Sequence, residues 1–403
     1  MSLADDAKLL LIPTGYKTSK VYSVFPTDGD GDFDYTRSGD ASRVNPGGLI
    51  ETVGTNIPRI DHFGGGCPTL LLEPQRTNLQ VRSEEFNNSV WTKSRATITG
   101  NNAISPNGEL NADKLTGTGT GTSYVYDGIT LTNGVKYTIS IFVKPIISIS
   151  SFAINVFGGV GTAYFNLVDK TVYSPTGDFT SAKIEDYGNG WLRCSGTLTL
   201  SSATGTKNIG YGLIDYGGDQ FYLWGAQIED ASYSSTYIKT TSGQITRQKD
   251  NCHLLNQTLF TDYPFTVYAK AKVDNFSNVA FSLIDSLASN KYLSIQFTSS
   301  SQIGVLRRDA SNNDSDYYSF SYSIGDTLKI AISYVNDTSY KLYVNGTELA
   351  DITSGTSIPF DHNDISLGQF RIASDTGTRN SIDDFRVYDY TLTNTELTEL
   401  TTL

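Results

Sequence analysis

Asp28, Asp30 and Asp32 come closest in this sequence to the spacing of a cation site. In the run Asp28-Gly29-Asp30-Gly31-Asp32-Phe33, alternate carboxylates could converge on calcium as they do in the first half of a calcium-binding loop. Phe33 stands at the sixth position of such a loop, where the turn needs glycine, and Gly39 at the twelfth, where a bidentate glutamate belongs. An EF-hand is therefore excluded, and a solvated turn competes with a looser calcium site. Asp383 and Asp384 are a second candidate calcium pair, the alternative being that they anchor the last strand's backbone. Calcium is the one cofactor the residues admit.

Hydrolytic chemistry finds less support. His62, His253 and His362 lack the four-residue spacing of a helical metal pair, and there is no Gly-x-Ser-x-Gly elbow. The Glu-x-Asp-x-x-Glu string of sandwich glycosidases is absent too. An enzyme is not expected. Sugar recognition needs aromatic faces beside polar hydrogen-bonding groups, and two tyrosine pairs qualify: Tyr124 with Tyr126 beyond a Gly/Thr-rich loop, and Tyr317 with Tyr318 after a polar run. Ordinary sandwich packing is the competing expectation for each pair. Trp191 and Trp224 sit mid-strand in apolar runs and are assigned to the core.

The elements that must position these groups are strands. Tyr, Phe and Gly number 25, 19 and 37 against a single Met, a composition that suits pleated, half-buried surfaces. Residues 1 to about 80 are short apolar runs broken by turn signals, among them Asn45-Pro46-Gly47-Gly48, which predicts a type II reversal. Such a meander has too little apolar surface to stand alone and should pack on a neighbour, either the next domain or another protein. From 81 to 247 the strands lengthen: Tyr137, Ile139, Ile141 and Val143 alternate with Thr138, Ser140 and Phe142, and 190–200 and 221–228 read as core strands. After a polar linker, Thr240 to Asp250, a second sandwich opens with Phe265, Val267, Ala269, Ala271 and Val273 facing inward and Thr266, Tyr268, Lys270 and Lys272 facing water. Asn345-Gly346 predicts a type I′ hairpin, and Thr393 with Glu396 a capped C-terminal helix stapled by Leu392 and Leu397. The fold class is all-β: a short-strand meander over 1–80, then antiparallel jelly-roll sandwiches over 81–247 and 248–403.

A length of 403 residues fits this division. A net charge of −12 without a Lys/Arg cluster argues against nucleic acid, and no apolar run approaches the length of a membrane span, so neither partner is expected. The acidic N-terminus is unlike a secretory signal. Three cysteines, Cys67, Cys194 and Cys252, are read as buried free thiols.

The run from Ser38 to Thr77, SGDASRVNPGGLIETVGTNIPRIDH and then GGGCPTLLLEPQRTNL, resembles a segment at the front of bacteriophage head-fibre and tail-fibre proteins. Ser83-Glu84-Glu85-Phe86, Trp91-Thr92-Lys93, Trp224 to Glu229 and Tyr233 to Ile238 continue that resemblance in order. The middle region is also similar to jelly-roll carbohydrate-binding modules through Asn78-Leu79, Phe86 and Trp91. The C-terminal region is similar to laminin-G or concanavalin-like lectins through Lys341 to Gly346 and Ile382 to Tyr388. The resemblance implies a virion-surface protein made in the host cytoplasm. Residues 1–80 would attach it to capsid or tail proteins, and two sandwiches would meet host polysaccharide, in a homo-oligomer. It also implies that 81–403 folds unaided. A bacterial lectin and a glycan-degrading enzyme are the alternatives.

Overall fold

Alternation decides the architecture. In the strand Lys136–Pro145, Tyr137, Ile139, Ile141 and Val143 enter one core, while Phe142 on the opposite face enters another. The computed structural model describes residues 2–118, 121–146, 151–213, 220–274, 278–284, 291–309, 311–359, 363–368 and 379–403. His362 lies outside them. Among the described residues the regular elements are all strands except for one helix, Asn394–Thr401.

The middle sandwich packs two six-stranded antiparallel sheets. One runs Thr92–Ser94, Ser123–Leu131, Gly205–Leu213, Ser151–Val156, Gly161–Asn166 and Thr171–Val172; the other centres on Gln220–Asp230, Lys136–Pro145 and Leu192–Thr199. Val125, Ile154, Tyr211, Phe221 and Ile228 are among the side chains closed between them. Burying this apolar surface is the main term that holds the two sheets together.

The C-terminal sandwich is built partly from the other end of the chain. Leu9–Leu11 and Thr69–Leu72 lie one after the other along Asn380–Tyr388, in registers that place Leu9 opposite Val387 and Leu70 opposite Ile382. Phe33–Thr36 pairs with Asn251–Leu254 in the facing sheet, and Lys20–Val21 and Tyr16–Lys17 continue that sheet outward. Leu9, Leu11, Phe33, Tyr35 and Leu70 are completely buried in the shared core. The neighbour on which the N-terminal meander packs is thus the most distant part of its own chain. This argues against the expectation that 81–403 folds unaided, because that piece lacks strands from both sheets.

The hairpin Ala41–Val44 with Ile50–Val53 does something different. Its Val44 and Ile50 cover Phe142, Trp191, Trp224 and Tyr237 on the outer face of the middle sandwich. Both tryptophans are buried as expected, yet beneath this hairpin and not between the sheets. The reversal departs from type II. The left-handed residue is Gly48 (φ 76°), one position later than that type requires, and Asn45 Oδ1 accepts from the amides of Gly47 and Leu49.

Other expectations are met in detail. Asn345 and Gly346 both have positive φ, 48° and 80°, between Ser339–Val344 and Thr347–Ile352. The capping box of Thr393 and Glu396 is complete. The face expected to be wet in the strand Phe265–Lys272 is half covered, because the helix and the N-terminus pack Leu397, Leu400, Ala7 and Leu10 around Tyr268 and Tyr388. Cys194 and Cys252 are buried free thiols, but Cys67 is exposed, in a turn of three glycines that offers no core to enter.

Candidate functional site

Val125, Ile129 and Leu131 point into the core of the middle sandwich, so Tyr124 and Tyr126 on the same strand point out. The registers place Tyr124, Gly212, Ala153 and Tyr164 side by side across four strands, and Tyr126, Gly210, Asn155 and Thr162 in the next row. The first row sets two small residues between two tyrosines, and the second sets Gly210 between Tyr126 and Asn155. Phe157, at the end of its strand, meets Tyr124 and Tyr126 edge-on at ring separations of 5.2 and 5.4 Å. Its ring lies on the bare backbone of Gly210, where an added Cβ would come within 2.7 Å of it. Asn155 Nδ2 donates to Thr162 Oγ1 at 2.8 Å, fixing a carboxamide beside the aromatic group. Tyr124 is buried by this packing, whereas Tyr126 and Phe157 stay partly open. Phe157, Tyr164 and Asn155 were not picked out from the sequence. Their signal is the cross-strand register, which becomes visible only once the strands are paired.

The other tyrosine pair separates. Tyr317 is exposed, while Tyr318 turns to the opposite side of the strand Asn313–Ser319 and shares a 2.5 Å hydrogen bond with the Tyr340 hydroxyl. They cannot offer one stacking surface.

Four of the five candidate metal ligands, Asp28, Asp32, Asp383 and Asp384, are engaged by protein partners. Asp28 Oδ1 accepts from the Asp30 amide and Asp32 Oδ1 from the Ser23 amide, at 3.1 and 2.9 Å. Asp383 pairs with Lys270 at 2.6 Å, and Asp384 takes Arg386 with both oxygens. Among the described residues no three His, Cys, Asp or Glu side chains converge as a metal site. His253 is held below the ordinary histidine value because burial disfavours its charged form.

Residues 246–398 match the family described as Laminin_G_3, the concanavalin A-like lectin/glucanases superfamily. The laminin-G-like ending expected from Lys341 to Gly346 and Ile382 to Tyr388 is borne out by this match. It spans the C-terminal sandwich from Asn251–Leu254 into the closing helix, and it leaves out the strands supplied by residues 9–72. No curated protein matches the sequence. Among solved structures, the chain is similar to a NanB sialidase from Streptococcus pneumoniae at 23% identity and TM-score 0.32, over 36% of this chain and 25% of that one. It is similar to the CBM40 module of the Ruminococcus gnavus IT-sialidase, bound to α2,3 sialyllactose, at 17% identity and TM-score 0.32, over 35% and 84%. A third is domain 4 of AbnA, an extracellular arabinanase from Geobacillus stearothermophilus, in complex with arabinotriose: 17% identity, TM-score 0.32, 43% and 84%. The chain spans about a quarter of the sialidase's length.

Where the lectin-like sandwich meets the rest of the chain lies a buried ionic cluster that sequence reasoning missed. Arg59 donates to Glu73 at 2.6 Å and also bonds Asp250; Arg37 reaches Asp250 at 3.2 Å, and Arg247 reaches Glu73 at 2.9 Å. Both carboxylates are fully buried. Burial alone would raise the Glu73 carboxyl, but Arg247, Arg59 and Arg379 outweigh it and hold that group well below its ordinary value; Arg59, Arg247 and Arg37 do the same for Asp250. The amide and hydroxyl of Thr236 bond Glu73 from the middle sandwich, at 2.9 and 2.7 Å. Asn78 bonds the backbone of Ala226, Ile228 and Ile238. The phrases Ser38 to Thr77, Trp224 to Glu229 and Tyr233 to Ile238, distant in sequence, therefore meet in one place. The polar stretch expected to be a linker is part of it, since Ile245–Arg247 pairs with Arg76–Asn78.

Proposed function

We propose that this chain is a non-catalytic, glycan-binding surface protein, displayed on a bacteriophage particle as a head or tail fibre. The single observation that carries the binding role is the outer face of the middle sandwich, where the partly open rings of Tyr126 and Phe157, the latter seated on Gly210, stand beside the fixed carboxamide of Asn155. Aromatic rings give a sugar's C–H face a flat apolar partner, and the amide supplies directional hydrogen bonds. The match of residues 246–398 to a lectin and glucanase superfamily supports a carbohydrate partner, and the phage-like phrases support the virion. Attachment to capsid or tail falls to the exposed loops of the first eighty residues, since their strands are taken up by the sandwich.

A glycan array of bacterial surface polysaccharides, probed with the full chain and with Tyr126→Ala and Phe157→Ala, tests the binding. Saturable signals that fall about tenfold in both variants are expected. A blank array removes the glycan role. Labelling the protein on purified particles tests the location: label on capsid or tail is expected, and particles without it, beside protein on the bacterial surface, favour the bacterial lectin.

A further inference from the structure

The hairpin Ala41–Val44 with Ile50–Val53 does not close completely on the middle sandwich, and a cleft of about 440 Å³ remains beside it. That volume lies within the roughly 300–1,000 Å³ range of small-ligand sites. Trp224 and Tyr237, whose rings lie 4.4 Å apart, reach its floor only by their edges, since both are buried under the hairpin, and Ile50 and Ile245 add apolar surface beside them. The Trp224 indole N–H has no hydrogen-bond partner among the described residues although the side chain is only 1% exposed.

The walls are polar and fixed in place. Glu84, itself buried, accepts from the Tyr237 hydroxyl at 3.0 Å and pairs with Lys239 at 2.8 Å. The Asn111 amide bridges Glu84 and Glu109, at 3.3 Å to each. Hairpin and sandwich are tied by Ile50 N–H to the Pro106 carbonyl at 2.9 Å and by the Ser42 hydroxyl to the Tyr237 carbonyl at 2.6 Å. A site whose walls are bonded to one another loses little freedom when it is filled.

We propose that this cleft is a second sugar site, selective for the end of an oligosaccharide that carries no carboxylate. The proposal rests on the glycan-binding reading but on a site separate from the outer aromatic face. The carboxylate walls suit the hydroxyl rim of a pyranose, and Ile245 with the edges of the two buried rings forms the apolar side that its C–H groups would meet. The charge selects against acidic sugars. Asp40, Glu84 and Glu109 line the cleft against Lys239, while the charge of Arg247, the other cation there, is engaged by Glu73 behind it. A uronate or sialic acid carboxylate would enter a net negative field in a partly desolvated cleft.

The test is calorimetric titration of the full chain with neutral hexose oligomers, a glucosamine tetramer and an oligogalacturonate. Thr52→Trp, which fills the cleft from an exposed hairpin position, and the double variant Asp40→Ala/Glu109→Ala are compared with Tyr126→Ala. Saturable binding of a neutral or amine-bearing oligomer is expected, weakened about tenfold or more by the first two changes and retained in Tyr126→Ala. Binding that prefers the galacturonate, that ignores Thr52→Trp, or that is absent for every acid-free oligomer overturns the proposal. Array signals lost in Tyr126→Ala but kept in Thr52→Trp would sink this cleft while leaving the outer face standing. If Thr52→Trp melts below the parent, the Asp40/Glu109 variant, changed only at exposed side chains, decides the outcome.

Discussion

Glu73 and Asp250 are carboxylates that would be costly to bury without the arginines around them, and this mutual dependence makes both positions sensitive to substitution. Glu73→Gln leaves Arg59 and Arg247 short of a counter-charge in a dry site. Breaking such a pair typically costs about 3–5 kcal/mol, to be read from urea midpoints near neutral pH. The pH dependence has a definite sign. Both carboxyls are lowered from their ordinary values of 4.5 and 3.8, so the unfolded chain binds more protons than the folded one as pH falls past those values. The stability they contribute is fully present above those ordinary values and is lost progressively as pH falls from them through the lower values of the folded state. Glu73→Gln should therefore flatten the fall in urea midpoint below pH 4.5; an unchanged acid slope would mean that other carboxylates dominate. Sequence alone could not reveal the cluster, because Arg37, Arg59, Glu73, Arg247 and Asp250 look like ordinary surface charges until strands from both ends of the chain bring them together. The aromatic face was half legible. Tyr124 and Tyr126 were picked out as a pair beyond a Gly/Thr-rich loop, but Phe157 joins them only through the pairing of Ser151–Val156 with Gly205–Leu213.

Among the elements, those whose signals are local could be read with the least loss. The helix Asn394–Thr401 follows from Thr393, Glu396 and the Leu392–Leu397 contact, all within six residues. Thr393→Ala removes the hydroxyl that caps the Glu396 amide and should cost about 1 kcal/mol, seen as a lower melting temperature. Thr393→Ser, which keeps the hydroxyl, should stay near the parent. Equal losses in the two variants would place the effect in packing and not in the cap. The Asn345-Gly346 hairpin was legible for the same reason, its backbone demand resting on two adjacent residues. The reversal at Asn45 to Gly48 was placed correctly and typed wrongly. Asn45 Oδ1 takes two amides and moves the left-handed residue on to Gly48, and a turn assignment made from Pro and Gly positions alone omits that side-chain bond.

For the whole molecule, the order of strands along the chain is not their order in space, and this is what local pattern could not convey. The chain starts the C-terminal sandwich, leaves it after Leu72 to build the middle one, and returns at Asn251 to finish it. A protein beginning at residue 81 would lack Leu9–Leu11 and Thr69–Leu72 along Asn380–Tyr388, lack Phe33–Thr36 beside Asn251–Leu254, and uncover the aromatic group around Trp224 on the middle sandwich. It would also leave Arg247 and Arg379 without Glu73, and Asp250 without Arg37 and Arg59. Each defect exposes apolar surface or unpaired charge, and none can be repaired within the fragment. The 81–403 fragment should therefore aggregate or melt without a cooperative transition, and co-expression with residues 1–80 should restore a soluble complex that melts as one unit. A soluble, sharply melting 81–403 protein would mean that the N-terminal strands decorate a sandwich already complete. The same linkage bears on display: if the first eighty residues hold the particle through their loops while their strands sit inside the C-terminal sandwich, that sandwich is fixed to the particle with no free tether between them, and the middle sandwich, tied to it through Glu73 and Thr236, carries the faces proposed to bind glycan in a constant orientation.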